Sequence, residues 1–387
     1  VTVELRDLTV DDFDAVLDNR KRAFGPVSDG EVDAWRRHVI PVLAGGRYLG
    51  VVDGSRLVAM SKINDLTQWW HGRPISMAGI GSVTVAPEDR GRGVGRTLMR
   101  ATIDRCADLG HPISALYPAT TRIYRSLGWE HAGAMHRATL PTEALRTIRP
   151  TEQVKVRRMG PDDAPEVIAV LNRVHAATRA SGPICWDERI WRLWLERKDD
   201  FLYLADDGFL IYRWDGGDIE VGNLVAGSEA TARALWSLVG SSSSVAASVH
   251  AVVAPDDPVF WLIGDRPRDE VGQTRWMFRV IDLAAAVGRR GFPAGVTLDA
   301  VIQVDDPQRP ANSGPWRLSV ADGSGTVEPA GSQPGAVPVF TAGAFSALFA
   351  GVPTATLRRS GTLTGPTDAD EVLDAAFHAR PHMLDHF

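Results

Sequence analysis

The stretch SVTVAPEDRGRGVGRTLMR, Ser82 to Arg100, changes character three times in nineteen residues. Val83 and Val85 alternate with polar neighbours, as in a strand. Pro87 marks a turn, arginine and glycine then alternate up to Arg96, and helical spacing of apolar residues follows. Strand, glycine loop and helix in that order present backbone N–H groups and a helix N-terminus to an anion. Gly91, Gly93 and Gly95 allow a ligand close to the backbone, and their amides can form a nest for oxygens. Arg90, Arg92 and Arg96 add guanidinium groups that match phosphate geometry. A dinucleotide fingerprint is excluded because its glycines follow the first strand directly, and a Walker loop because no Gly-Lys-Ser/Thr is present. The expectation is a pyrophosphate cradle; a solvated basic helix start would carry the same residues without a ligand.

Upstream, Thr2–Leu8 alternates as a strand, and Thr9 with Asp11 and Asp12 reads as the capped start of a helix running to about Phe24. A second helical pattern spans Glu31–Val42, with Trp35 on its apolar side. Tyr48–Val52 and Arg56–Asn64 read as a hairpin about Asp53-Gly54-Ser55, and Ile75–Val85 as a long strand. Downstream come a helix to Leu109, a strand Ile113–Tyr117 and a helix Ala119–Leu127 closed by Gly128. The pattern then restarts. Val154-Lys-Val-Arg157-Arg-Met159-Gly-Pro-Asp162-Asp163 repeats the order of Val3-Glu-Leu-Arg6-Asp-Leu8-Thr-Val-Asp11-Asp12. Strands at Phe201–Ala205, Phe209–Arg213 and Ile219–Val225 follow, with a helix at Ala232–Val239. Where the first copy has arginine and glycine, the second has Ala226-Gly-Ser-Glu-Ala-Thr-Ala-Arg233, so the second is expected to lack the cradle. From Leu283 onward, prolines punctuate short strand-like runs in a third α+β unit.

Composition limits the function classes. Hydrophobic residues at 44% and charged residues at 23% describe a globular chain. A net charge of −6 gives no general attraction to nucleic acid or to an anionic membrane. No run approaches a membrane span and the first residues lack the pattern of a signal peptide, so neither a membrane nor export is expected and the default location is the cytoplasm. Cys106 and Cys185 have neither disulfide nor metal spacing, so no metal is expected.

The motif Arg90-Gly91-Arg92-Gly93-Val94-Gly95, behind a strand ending Val83-Thr84-Val85, resembles the acetyl-CoA motif of the GCN5-related N-acetyltransferases. The order Tyr124-Arg-Ser-Leu-Gly128-Trp129 resembles their Tyr-x-x-x-Gly-aromatic element, in which the tyrosine lies near the thioester sulfur. The whole chain resembles the Eis-type members, named for enhanced intracellular survival. That resemblance implies an α+β architecture of two tandem domains of this kind, the second degenerate, and a sterol-carrier-like C-terminal domain. The expected boundaries are 1–150, 151–284 and 285–387. It implies acetyl-CoA held by Val83, Thr84, Val85, Arg90 to Arg96, Ala119 and Thr120. It implies a small amine acceptor, an aminoglycoside or other polyamine, met by Phe24, Asp29, Trp35, Ser82, Asp385 and His386, and a homo-oligomer, a hexamer. Tyr124 is the expected acid, since a phenol of pKa about 10 can protonate a thiolate, and a core-facing Tyr is the plain alternative. The carboxyl group of Phe387 is the expected base; an α-carboxylate of pKa about 3.5 becomes useful once burial raises it. His386 stands where the best-known members have an acidic residue, so it either shares the base role or leaves the charge to Asp385. Both cysteines lie away from the motifs, which favours direct transfer over a covalent enzyme intermediate. The rival readings are a narrower enzyme, acting on one cellular amine or protein lysine, and a lipid carrier.

Overall fold

A computed structural model describes residues 3–265, 270–331 and 335–387. Among these, thirteen strands form one sheet. In chain order they are β1 Glu4–Asp7, β2 Tyr48–Asp53, β3 Arg56–Trp70, β4 Arg73–Val85, β5 Ile113–Leu116 and β6 Glu130–Pro141, then β7 Arg157–Arg158, β8 Ile184–Cys185, β9 Asp200–Ala205, β10 Gly208–Asp215, β11 Asp218–Ala226, β12 Ser248–Val253 and β13 Glu270–Val280. Thr2, the expected start of the first strand, lies outside the described residues.

The spatial order is β1-β2-β3-β4-β5-β13-β6-β12-β11-β10-β9-β7, with β8 paired to β3. Read from either end it is the same sequence of roles, so the internal repeat is real and the copies face each other about a pseudo-twofold axis. The match extends to side chains. Arg6 donates to Asp12 at 2.7 Å and Asp12 accepts the Thr9 N–H at 2.8 Å; Arg157 donates to Asp163 at 2.7 Å and Asp163 accepts the Gly160 N–H at 2.8 Å. At the centre the copies exchange their last strands. β13 lies antiparallel to β5, and β6 lies antiparallel to β12. The sheet therefore runs continuously across the expected boundary at residue 150.

The first copy carries α1 Phe13–Phe24 and α2 Asp29–Ala44 on one face, with Val16, Val39 and Leu43 packed on Tyr48 and Met60. α2 starts in a capping box: Ser28 Oγ accepts the Glu31 N–H, and the Glu31 carboxylate accepts the Ser28 N–H. α3 Val94–Asp108 and α4 Thr121–Arg125 cover the other face around Met99, Ile103 and Trp129. One expectation is corrected. β3 does not end at Asn64 but continues to Trp70 and turns directly into β4, because His71 and Gly72 both take positive φ, 47° and 78°. Two left-handed residues make the tight hairpin turn, and His-Gly is a weaker signal for it than Asn-Gly.

The third unit is a five-stranded sheet of β14 Leu298–Asp305, β15 Gly314–Ala321, β16 Ser324–Pro329, β17 Val339–Thr341 and β18 Leu363–Thr364, ordered β16-β15-β14-β17-β18. Two buried arginines fix it to the rest. Arg279 of β13 pairs with Asp306 at 2.8 Å, and both are almost wholly buried. Arg290 donates to the carbonyls of Gly291, Phe349 and Phe377 and lies against the rings of Trp70, Phe292, Phe349 and Phe377. The last of those carbonyls ties down the segment from which the C-terminal tail departs.

Candidate active site

The loop before α3 has the expected form. Gly91 and Gly93 hold φ of 82° and 81°, and a side chain at either would meet nothing within 4 Å, so the loop's outer face is open. Gly95 has a different reason: a Cβ there would lie 3.3 Å from Val85 Cγ2. Asp89, 2% exposed, fixes the loop from beneath by accepting from Arg56 and Arg92, and those arginines hold its carboxyl below the usual range. Arg92 is thereby engaged in shaping the loop. Arg90 is exposed, and Arg96 is exposed with one bond to Ser126 Oγ at 3.4 Å. Ala119 and Thr120 are exposed ahead of α4. Val94, the first residue of α3, is buried.

A split in the sheet leads from this loop. β4 and β5 are parallel and paired only over Met77–Ile80 and Ile113–Leu116. β4 runs on to Val85 paired with β3 alone, so Gly81–Val85 has backbone groups free on the β5 side. Within that segment the β3–β4 register slips, with Lys62 opposite Gly81 but Met60 opposite Thr84. The bulge contains Ser82 at φ 50°, a left-handed conformation held by its surroundings. Thr84 is buried and donates to Asn19 Oδ1, while Val83 and Val85 pack into the clusters beneath α3 and α4. Exposed loop amides and a strand with one unpaired edge fit a ligand with a pyrophosphate and an extended arm.

Tyr124 and Phe387 lie on opposite faces of the sheet at this split. Tyr124 is 7% exposed and packs with Ile63, Ile80, Met99 and Trp129; burial pushes its phenol up to about 12, which keeps it protonated. Phe387 covers the other face. A Cβ at Gly79 would come within 2.9 Å of the Phe387 ring, and one at Gly81 within 3.8 Å of its carboxyl carbon. The tail reaches this place along a path of close contacts. Met383 N–H donates to Ala134 at 3.3 Å, His382 N–H to Ser181 at 3.1 Å, and a Cβ at Gly133 or Gly182 would stand 2.3 Å from a tail carbonyl.

Several residues around the tail carried no role in the sequence reading. Tyr117, at the end of β5, stacks on His386 at 4.1 Å and donates to the Asp385 carbonyl at 3.2 Å. Asn223 of β11 donates to Asp385 Oδ1 at 3.1 Å; burial pushes that carboxyl up to about 6 against this bond. Burial lowers the pKa of His386. Lys62, buried beside Gly81, bonds to His38 Nε2 at 3.2 Å; burial lowers the ammonium to about 8, and burial with the Lys62 charge lowers His38 to about 3. The signal available for these contacts was glycine inside strands, at Gly79, Gly81 and Gly133, which marks close approach of another chain segment. Among the expected acceptor contacts, Ser82 lies in the β4 bulge, His386 stacks on Tyr117 beside β5, and the Asp385 carboxylate is turned to Asn223 of β11. Phe24 is 60% exposed at the end of α1 and Asp29 is exposed at the start of α2. Trp35 packs on Phe13 at 5.4 Å beneath Arg20, inside the apolar layer between α1 and α2.

Comparison with known proteins gives three matches along the chain: an acetyltransferase (GNAT) domain over residues 4–132, another over 182–280, and a sterol carrier protein domain over 283–384. The chain is similar to a crystallised GCN5-related N-acetyltransferase from Kribbella flavida, 46% identical, covering 100% of this chain and 98% of that one with a TM-score of 0.97. It is 26% identical over 366 residues to the N-acetyltransferase Eis of Mycobacterium tuberculosis, 85% of each chain. The fold is shared with Eis1 from Mycobacterium abscessus, 19% identical, with a TM-score of 0.79 over 99% of this chain and 100% of that one.

Proposed function

The chain belongs to the GCN5-related N-acetyltransferase family as an Eis-type N-acetyltransferase, and from that premise we propose that it moves the acetyl group of acetyl-CoA directly onto a primary amine. The observation that carries this reading is the placement of Tyr124 beneath one face of the sheet and Phe387 over the other, on either side of the β4–β5 split. A thioester threaded through the split would meet both.

In this mechanism the loop amides of Gly91–Gly95 with Arg90 and Arg96 hold the pyrophosphate. Unpaired β4 backbone between Gly81 and Val85 binds the arm and polarises the acyl carbonyl. The Phe387 carboxyl group takes the proton from the attacking amine as the new C–N bond forms. Tyr124 gives its proton to the sulfur as the C–S bond breaks, and its raised pKa means it arrives loaded at neutral pH. Asp385 and the ring of Tyr117 would meet a polyamine acceptor, an aminoglycoside among them, through charge and cation–π contact. The resemblance also carries a cytoplasmic homo-oligomer, a hexamer, which sedimentation velocity tests.

The test of the reaction is acetyl-CoA-dependent thiol release over a panel of aminoglycosides, diamines and lysine peptides. Turnover of several polyamines is expected. Turnover of one amine alone would favour the narrower enzyme, and no turnover with any amine would overturn the reading. The base is tested separately by adding one residue after Phe387. Turnover is expected to fall about 100-fold with acetyl-CoA affinity near normal, and an unchanged rate would remove the Phe387 carboxyl group from the mechanism.

A further inference from the structure

The second copy keeps the architecture of the split without its chemistry. β11 and β12 pair only over Ile219–Val221 and Val249–Ala251, so β11 continues to Ala226 with no partner on that side. A bulge at Gly222 occupies the place of the one at Ser82. A cavity of about 430 Å³ lies there, within the range of small-molecule sites. Leu224, Val225 and Trp236 give it an apolar floor, and His175 with the tail residues His382 and Leu384 forms one wall.

Two observations mark this cavity as built for a ligand. His175 is 4% exposed and its Nε2 has no partner, although an unpaired buried polar atom costs about 1–3 kcal/mol. Arg179 and Arg380 are exposed on the cavity's lining with no ion pair among the described residues. Of the aspartates there, Asp257 accepts the Val259 N–H at 3.0 Å and burial pushes its carboxyl up to about 6, while Asp256 is exposed at the rim. A phosphorylated ligand does not suit the cavity. The helix Glu229–Gly240 that follows β11 is capped by Ser228 Oγ, so its N-terminus is satisfied and offers no open glycine loop of the kind that precedes α3.

We propose that the second copy binds a small amphipathic carboxylate in this cavity, its apolar body against Leu224 and Trp236 and its carboxylate between Arg179 and Arg380. Nε2 of His175 supplies one hydrogen bond within. Because His382 and Leu384 belong to the tail that ends at Phe387, such a ligand touches the segment that completes the proposed active site.

The experiment is isothermal titration of the full chain with octanoate, octanol and inorganic phosphate, which needs no enzymatic activity and so stands or falls apart from the proposed reaction. Octanoate is expected to bind saturably, octanol about tenfold more weakly for lack of the charge-assisted bonds, and phosphate not at all. An Arg179→Ala/Arg380→Ala variant, altered only at exposed side chains, should keep its melting temperature and lose about tenfold in octanoate affinity. Absence of saturable octanoate binding, or equal binding by the double variant, would overturn the site. Equal binding of octanol would overturn the assignment of a carboxylate.

Discussion

At the scale of single residues, burial decides what the ionisable groups near the split can do. Tyr124 has its phenol packed with Trp129 and Ile80, so it stays neutral and holds a proton to give at neutral pH. Tyr124→Phe keeps the packing and removes the proton. It should lower kcat about 100-fold while the KM for acetyl-CoA changes little, measured by steady-state thiol release. Lys62 makes a second case. The residue is 7% exposed, and burial lowers its ammonium to about 8 when folded, against about 10.4 when unfolded. The folded state sheds this proton first, so the cost is complete below pH 8, falls between pH 8 and 10, and is gone above. Lys62→Met should therefore melt higher than the parent at pH 7, by a stability gain of about 2–3 kcal/mol, with the gain shrinking toward pH 10 in a calorimetric series.

At the scale of elements, glycine in β4 lets the tail lie on the sheet. A methyl group at Gly79 would stand 2.5 Å from Leu66 Cδ1 and 2.9 Å from the Phe387 ring. Gly79→Ala should displace Phe387 and reduce turnover, while the loop at Gly91–Gly95, out of reach of the change, keeps its affinity for acetyl-CoA. Calorimetry with CoA beside a rate assay distinguishes the two effects, and equal loss in both would mean that β4 itself is distorted. Gly128 shows a related economy. It closes α4 at φ 90°, and a Cβ there would collide with the guanidinium of Arg279, which lies over Trp129. The glycine was legible as a helix stop, but the arginine packed against it comes from the other copy.

At the scale of the molecule, strand exchange makes the two copies interdependent. β13 lies between β5 and β6 and supplies Met277 to the cluster around Tyr124 and Trp276 and Phe278 to the core on the other face. A fragment of residues 1–150 would lack that strand and expose an unpaired edge along β5. It should show no cooperative thermal transition by circular dichroism and should aggregate, whereas residues 1–284 retain every strand of the large sheet. A sharp melt of the shorter fragment would show that the exchange is dispensable.

Local pattern was enough for much of this protein. Alternation disclosed many of the strands, the Gly/Arg loop was legible as the turn into α3, and the repeated Arg-to-Asp spacing disclosed the second copy, because each depends on neighbours within a few residues; β6 and β12, which meet at the exchange, were not read from the sequence. Trp35 shows a limit of local pattern: its place on the apolar side of a helix was legible, yet an amphipathic helix does not reveal which side of its apolar stripe meets a core and which a cleft. The sequence by itself determined the order of many elements, the Gly/Arg loop ahead of α3 and the presence of two copies. Only the tertiary structure decided that the last strands change places, that Asn223 of one copy holds Asp385 beside the other, and that Phe387 comes to rest on Gly79. Such contacts join residues far apart in the chain, and their formation depends on shape and burial summed over whole surfaces, which no local period encodes.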